Sequence, residues 1–139
     1  MKTLRHETEV LVRFSEVDSL LIVWHGHYVR YFEDAREAFG LKYGIHYLDV
    51  HKAGYSTPIV KVHCDYKRSL KYGDTALVEA TFVDSEASKL IFTFIIRNKA
   101  TKEIIATGET VQVFLDSNKE MCLTIPPFFD AWKKSNGII

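Results

Sequence analysis

Residues 14–39 read FSEVDSLLIVWHGHYVRYFEDAREAF, and the second half of this stretch decides the fold. Tyr28, Tyr31, Phe32, Ala35, Ala38 and Phe39 recur at steps of three and four, while Arg30, Glu33, Asp34, Arg36 and Glu37 fill the other side. That period is the one an amphipathic helix needs to present one apolar stripe. Gly40 or Gly44 ends it, since glycine accepts the left-handed turn that closes a helix. Four aromatic rings on the stripe predict a deeply buried helix. A single flat sheet face offers too little surface for it, so the sheet is expected to curl around it. The charged residues fall three and four apart, as on a solvated or interface face.

Working outward, residues 8–14 alternate, with Val10, Val12 and Phe14 on one face and Leu11 and Arg13 on the other, which predicts a first strand. After the helix, residues 45–51 form a short helical turn, Gly54 breaks the pattern, and Thr57-Pro58 opens a strand over 59–66. Further strands are expected over 75–83, 89–97 and 103–115, the last two joined by the short connection 98–102 of a hairpin. Gly108 signals a bulge or a close backbone approach, and residues 127–134 a last short helix. One helix laid on five consecutive antiparallel strands is an α+β arrangement. The strand over 103–115 is expected at an exposed edge, open to pairing with a second copy.

The chain has 139 residues, which predicts one domain over 1–139. With 47% hydrophobic and 13% aromatic residues it has ample material for a core, which excludes disorder of the whole chain. Eighteen basic and eighteen acidic side chains cancel, so the excess positive charge that nucleic acid requires is missing. Near-neutrality suits a chain that hides surface in an oligomer. The longest apolar runs, 20–24 and 90–96, are far below the roughly 20 residues that cross a bilayer. The N-terminus turns polar at once and shows no secretion signal. Cys64 and Cys122 stand alone without CxxC spacing, which fits a reduced, cytoplasmic setting.

The chemical candidate is Asp18, in the turn between the first strand and the apolar run leading to the helix. A helix start near Gly26 exposes backbone N–H groups carrying roughly half a unit of positive charge, able to polarise a carbonyl and hold a developing oxyanion. An aspartate beside it can act as nucleophile or as general base for water. On spacing alone, the stronger reading is that Asp18 caps a turn. His25 and His27 lie two apart and point to different sides of a helix, so no metal site is expected. Cys64 falls on the apolar face of its strand and reads as a small buried hydrophobe. The GxSxG elbow of α/β-hydrolases and the glycine-rich loops of nucleotide cofactors are both missing from the sequence.

The segments Phe14-Ser15-Glu16-Val17-Asp18, Ile22-Val23-Trp24-His25-Gly26-His27-Tyr28 and Tyr31-Phe32-Glu33-Asp34-Ala35-Arg36 resemble the opening signature of hotdog-fold acyl-CoA thioesterases of the 4-hydroxybenzoyl-CoA thioesterase and YbgC type. Thr57-Pro58-Ile59-Val60 and Tyr72-Gly73-Asp74 look like later landmarks of that family, and the likeness runs over roughly residues 5–120. The resemblance implies a curled five-stranded sheet around one central helix and hydrolysis of an acyl-CoA, or an acyl-carrier-protein thioester, to acid and thiol. It casts Asp18 as the catalytic carboxylate and His25 as the residue at the helix start, whose backbone N–H meets the thioester oxygen and whose side chain assists. Gly26, Tyr28, Leu21 and Pro58 fall along the substrate's path, Tyr28 chiefly as packing. Lys67, Arg68 and Lys89 are candidates for the CoA phosphates. The acyl pocket lies at an interface between subunits of a homodimer or homotetramer, and neither cofactor nor metal is implied. One position departs: where the family commonly has glycine, this chain has Leu21, after Leu20. That leaves three alternatives open: a turn built differently, a pocket narrowed by the two leucines, or weak catalysis. A non-catalytic acyl-thioester binding module of the same fold is the second reading.

Overall fold

The structure, a computed structural model, describes residues 2–139. Strand β1 (Arg5–Leu11) leads through a single 3-10 turn (Phe14–Glu16) and a loop into α1 (His27–Tyr43) and α2 (Tyr47–Lys52). Then follow β2 (Ile59–Tyr66), β3 (Thr75–Val83), β4 (Lys89–Asn98), β5 (Ile104–Val113) and α3 (Pro127–Ser135). All pairings are antiparallel, in the lateral order β1-β3-β4-β5-β2. This is the expected α+β class, a five-stranded sheet with one long helix.

Helix α1 touches β1 and β3 on one side and β2 on the other. Because β1 and β2 are the two edges of the sheet, one helix reaches both only if the sheet curls around it. The stripe read from the sequence is the buried one: Tyr28, Tyr31, Phe32, Ala35, Phe39 and Gly40 are its buried residues. Phe32 stacks on Phe94 with ring centroids 4.7 Å apart, and Phe39 meets Phe92 edge-on at 4.9 Å. Burial of each such ring contributes about 1.5–3 kcal/mol. Gly108 makes the closest of these approaches possible. A Cβ there would collide with the Phe32 ring and stand 2.5 Å from the His63 carbonyl oxygen. Of the two readings of Gly108, close approach is the correct one; the register shifts lie at Ile59/Lys61 and Ile96/Arg97. Gly44, at φ +76°, ends α1, with its N–H and that of Ile45 both donated to the Gly40 carbonyl at 2.9 Å.

Two expectations are corrected. The first strand begins and ends three residues earlier than the alternation over 8–14 suggests. Val12 still bonds across to the Asp74 carbonyl at 2.9 Å, but Phe14–Glu16 then turns to bury Glu16. The strand expected over 103–115 is not an edge: β5 lies between β4 and β2. The connection through α1 and α2 carries the chain past the hairpins and leaves β2 outermost. Val60, Val62 and Tyr66 of β2 are accordingly exposed. Cys64 is only half-buried on the same strand, and it and Cys122 are free thiols.

Helix α3 is fixed to the sheet by Lys133, whose ammonium lies 2.6 Å from the Asp84 carboxylate, 2.9 Å from the Ser85 carbonyl and 4.9 Å from the Phe129 ring centroid. Trp132 donates its indole N–H to the Tyr43 carbonyl at 2.7 Å, tying α3 to the end of α1. No helix among the described residues is long and apolar enough to cross a membrane.

Candidate active site

The loop before α1 is closed by its backbone. Val17 bridges to Val23, the Asp18 N–H donates to the Ile22 carbonyl at 2.9 Å, and the Trp24 N–H to the Glu16 carbonyl at 3.0 Å. The chain therefore enters α1 beside the point where it left Asp18. Within the turn the Leu21 N–H returns to the Asp18 carbonyl at 2.9 Å, and Asp18 Oδ1 accepts the Leu20 N–H at 2.8 Å. Asp18 thus performs the turn-capping role expected of aspartate. Its Oδ2 has no hydrogen-bond partner among the described residues.

Leu21 adopts φ +66°, the left-handed conformation that glycine takes without cost. A leucine holds that angle at a cost of about 1–2 kcal/mol. Leu20 and Leu21 are 74% and 61% exposed. Both present apolar surface to solvent. Phe14 and Tyr72, paired edge-on at 5.8 Å, extend the same exposed apolar surroundings.

At the helix start, the His27 N–H donates to the Trp24 carbonyl at 3.0 Å and the Tyr28 N–H to that of His25 at 3.4 Å. The N–H groups of His25 and Gly26 have no acceptor among the described residues, which leaves two donors at the positive end of a 17-residue helix. Gly26 has ordinary helical angles, φ −66° and ψ −22°, so backbone freedom does not explain the residue. Instead the Trp24 ring lies over it, where any Cβ would collide. His25 is exposed, its ring packed against Trp24 at 4.8 Å and edge-on to Tyr66 at 6.0 Å. Tyr28 is buried, its hydroxyl accepting the Leu70 N–H at 3.0 Å, and burial pushes its proton affinity up. Its ring meets Tyr31 edge-on at 6.1 Å and lies 5.5 Å from that of Tyr66.

Pro58 lies elsewhere, on the rim of a cavity of about 620 Å³ beside the second half of α1, with Arg36, Ile45, Tyr47, Phe92 and Gln112 among its lining. Gln112 donates its amide to the Thr57 carbonyl at 2.7 Å, while its Oε1 and Arg36 Nη1 are buried without partners among the described residues. Burial lowers the proton affinity of Arg36, partly opposed by Glu33. The three basic candidates do not gather in one chain. Arg68 is paired with Glu103 at 2.8 Å, and Lys67 lies beside it at the Ala106 end of β5. Lys89 pairs with Val113, seven residues and about 23 Å further along that strand.

Two contributors went unread in the sequence. Tyr66, at the end of β2, donates its hydroxyl to the His25 carbonyl at 3.0 Å. Buried Glu16 receives the Tyr31 hydroxyl at 3.0 Å and the Arg13 N–H at 2.8 Å, which anchors the loop on α1. The glutamate at the third position of a one-turn helix was the available signal for the second; nothing in strand alternation signals the first.

The model of the thioesterase-like superfamily matches residues 12–133. A Bacillus subtilis protein named "Putative acyl-CoA thioesterase YneP" is 32% identical over 130 residues, 91% of this chain and 94% of that protein. The chloroplastic acyl-acyl carrier protein thioesterase ATL3 of Arabidopsis thaliana is 28% identical over 121 residues, 87% of this chain and 63% of that protein. Among solved structures, a DHNA-CoA thioesterase from Staphylococcus aureus shares the fold with a TM-score of 0.83 at 24% identity, covering 96% of this chain and 92% of its own.

Proposed function

This chain belongs to the thioesterase-like superfamily and is a thioester hydrolase, and from that premise we propose that it cleaves acyl-CoA to free carboxylic acid and CoA, with Asp18 as the reacting carboxylate. The observation that carries the reading is the pairing of a carboxylate oxygen without a partner with two unclaimed N–H groups where the same closed loop enters α1. The N–H groups of His25 and Gly26 polarise the thioester carbonyl and take the charge that develops on its oxygen. Asp18 either attacks the carbonyl carbon to form an anhydride, which water then hydrolyses, or removes a proton from the attacking water. In both routes the C–S bond breaks and the thiolate of CoA takes a proton from solvent or from the protonated carboxyl.

The working unit is a homodimer paired through β2, with Lys67, Arg68 and Lys89 as the candidate phosphate contacts. An antiparallel β2–β2 pairing is isologous and covers Val60 and Val62. It sets each copy's Tyr66 end against the other's Pro58 end. The cavity beside α1 of one copy then adjoins the helix start of the other, and serves as the acyl pocket. Lys67 and Arg68 of one copy are brought to the Lys89 end of the other by the same operation.

The test is thiol release from a panel of short, long and aromatic acyl-CoAs, run beside an acyl-carrier-protein thioester. Asp18→Asn keeps the Asx turn and removes the base or nucleophile, so turnover drops by orders of magnitude while the fold persists. Wild-type turnover in that variant refutes the assignment. Binding across the panel with no thiol released favours the non-catalytic module.

A further inference from the structure

The His25 carbonyl belongs to the peptide unit whose other end is the Gly26 N–H. In a planar trans peptide the two groups point in opposite directions, so whatever fixes the carbonyl also fixes the aim of the N–H. Tyr66 does this from the edge strand, through its 3.0 Å hydrogen bond. Among the described residues the one other donor to that oxygen is the Tyr28 N–H, at a long 3.4 Å. A hydrogen bond to a peptide's carbonyl also polarises the unit and strengthens its N–H as a donor, by about 10–30% per bond. Gly26 is clamped on a further side by the Trp24 ring. Tyr66 itself is held by its ring, 5.5 Å from that of buried Tyr28 and edge-on to His25. Partial burial, then the neighbouring Cys64, push the Tyr66 hydroxyl's proton affinity up, so it is a donor at neutral pH.

We propose that Tyr66 is a positioning residue for thioester hydrolysis: by holding the His25 carbonyl it aims the Gly26 N–H at the oxygen that becomes negative when the thioester carbonyl is attacked. The inference rests on the reading of Asp18 and the α1 start given above. Its hydroxyl is spent on the backbone, so its influence falls on the transition state through Gly26 and not on the affinity for substrate.

Tyr66→Phe keeps the ring and its packing and removes the hydroxyl alone. For an acyl-CoA that the wild type turns over, kcat falls about tenfold with KM unchanged, less than the hundred- to thousandfold lost when an oxyanion donor is itself removed. A second measurement needs no turnover. Infrared difference spectra of acyl-CoA bound to Asp18→Asn show the thioester C=O stretch red-shifted from its value in water, and the shift shrinks in Asp18→Asn/Tyr66→Phe. An unchanged kcat together with an unchanged stretch overturns the proposal, and so does a rise in KM at constant kcat. Full turnover in Asp18→Asn overturns the underlying reading of the site, and the role of Tyr66 with it. Loss of turnover there, beside an unaffected Tyr66→Phe, overturns the role of Tyr66 alone.

Discussion

Replacing Lys133 tests how α3 is held, independently of the chemistry. Its side chain is 2% exposed and its ammonium has three partners: a carboxylate, a carbonyl and an aromatic face. Lys133→Ala strands Asp84 without its cation, leaves the Ser85 carbonyl unpaired and opens a void where the aliphatic stem ran. Breaking a buried pair by removing one partner costs about 3–5 kcal/mol. Asp84 is still 30% exposed, so water relieves part of its loss and the low end, about 3 kcal/mol, is expected. At roughly 3 °C per kcal/mol for a chain of this length, the midpoint of thermal unfolding falls by about 10 °C. Lys133→Met refills the stem's volume and costs about 1–2 kcal/mol, the desolvation of the polar groups left unpaired. Adding Asp84→Asn to Lys133→Met recovers part of that cost, because the two sites are coupled. Urea unfolding followed by circular dichroism gives all three values. A loss below about 1 kcal/mol in Lys133→Ala would refute the claim that this pair is buried and matched.

Gly108→Ala places a methyl group against the Phe32 ring and the immovable His63 carbonyl, so urea unfolding should show a loss of about 2–3 kcal/mol. Val60→Lys with Val62→Lys puts two charges on the open edge of β2; sedimentation should show monomer, with turnover lost in parallel, and an intact oligomer would remove β2 from the interface. Burial first, then its bond to the Glu16 carboxylate, hold the Tyr31 hydroxyl well above the ordinary tyrosine value of 10.0. Below that value the proton is present in both folded and unfolded chains and the contribution is complete. Above it only the unfolded chain ionises, so stability measured in urea should decline as pH rises from 10, and the decline should be shallower in Tyr31→Phe.

The central helix and the strand segments were legible because they rest on local rules. A stripe at Tyr28, Tyr31, Phe32, Ala35 and Phe39 has one low-energy burial, and alternation over 59–66, 75–83 and 89–97 has one strand reading. Asp18 was legible as a turn residue, and as a catalytic candidate from its place before the helix start and from the family signature around it. Its free Oδ2 and the unclaimed N–H groups of His25 and Gly26 are properties of a folded loop. Leu21 is the sharpest case: the sequence shows leucine where the resembling family commonly has glycine, and the backbone there takes φ +66°.

Composition and periodicity determined that this chain buries one aromatic helix against antiparallel strands, because side-chain burial follows a period of 3.6 or 2 that neighbours in sequence already display. Only the tertiary structure decided that β2 and not β5 is the open edge, that Tyr66 reaches the His25 carbonyl across 41 positions, and that Lys133 of α3 finds Asp84 in the β3–β4 turn. Those pairings join segments far apart in the chain. Their partners are selected by how the sheet closes around the helix, a global balance of burial and chain entropy that no local window of sequence contains.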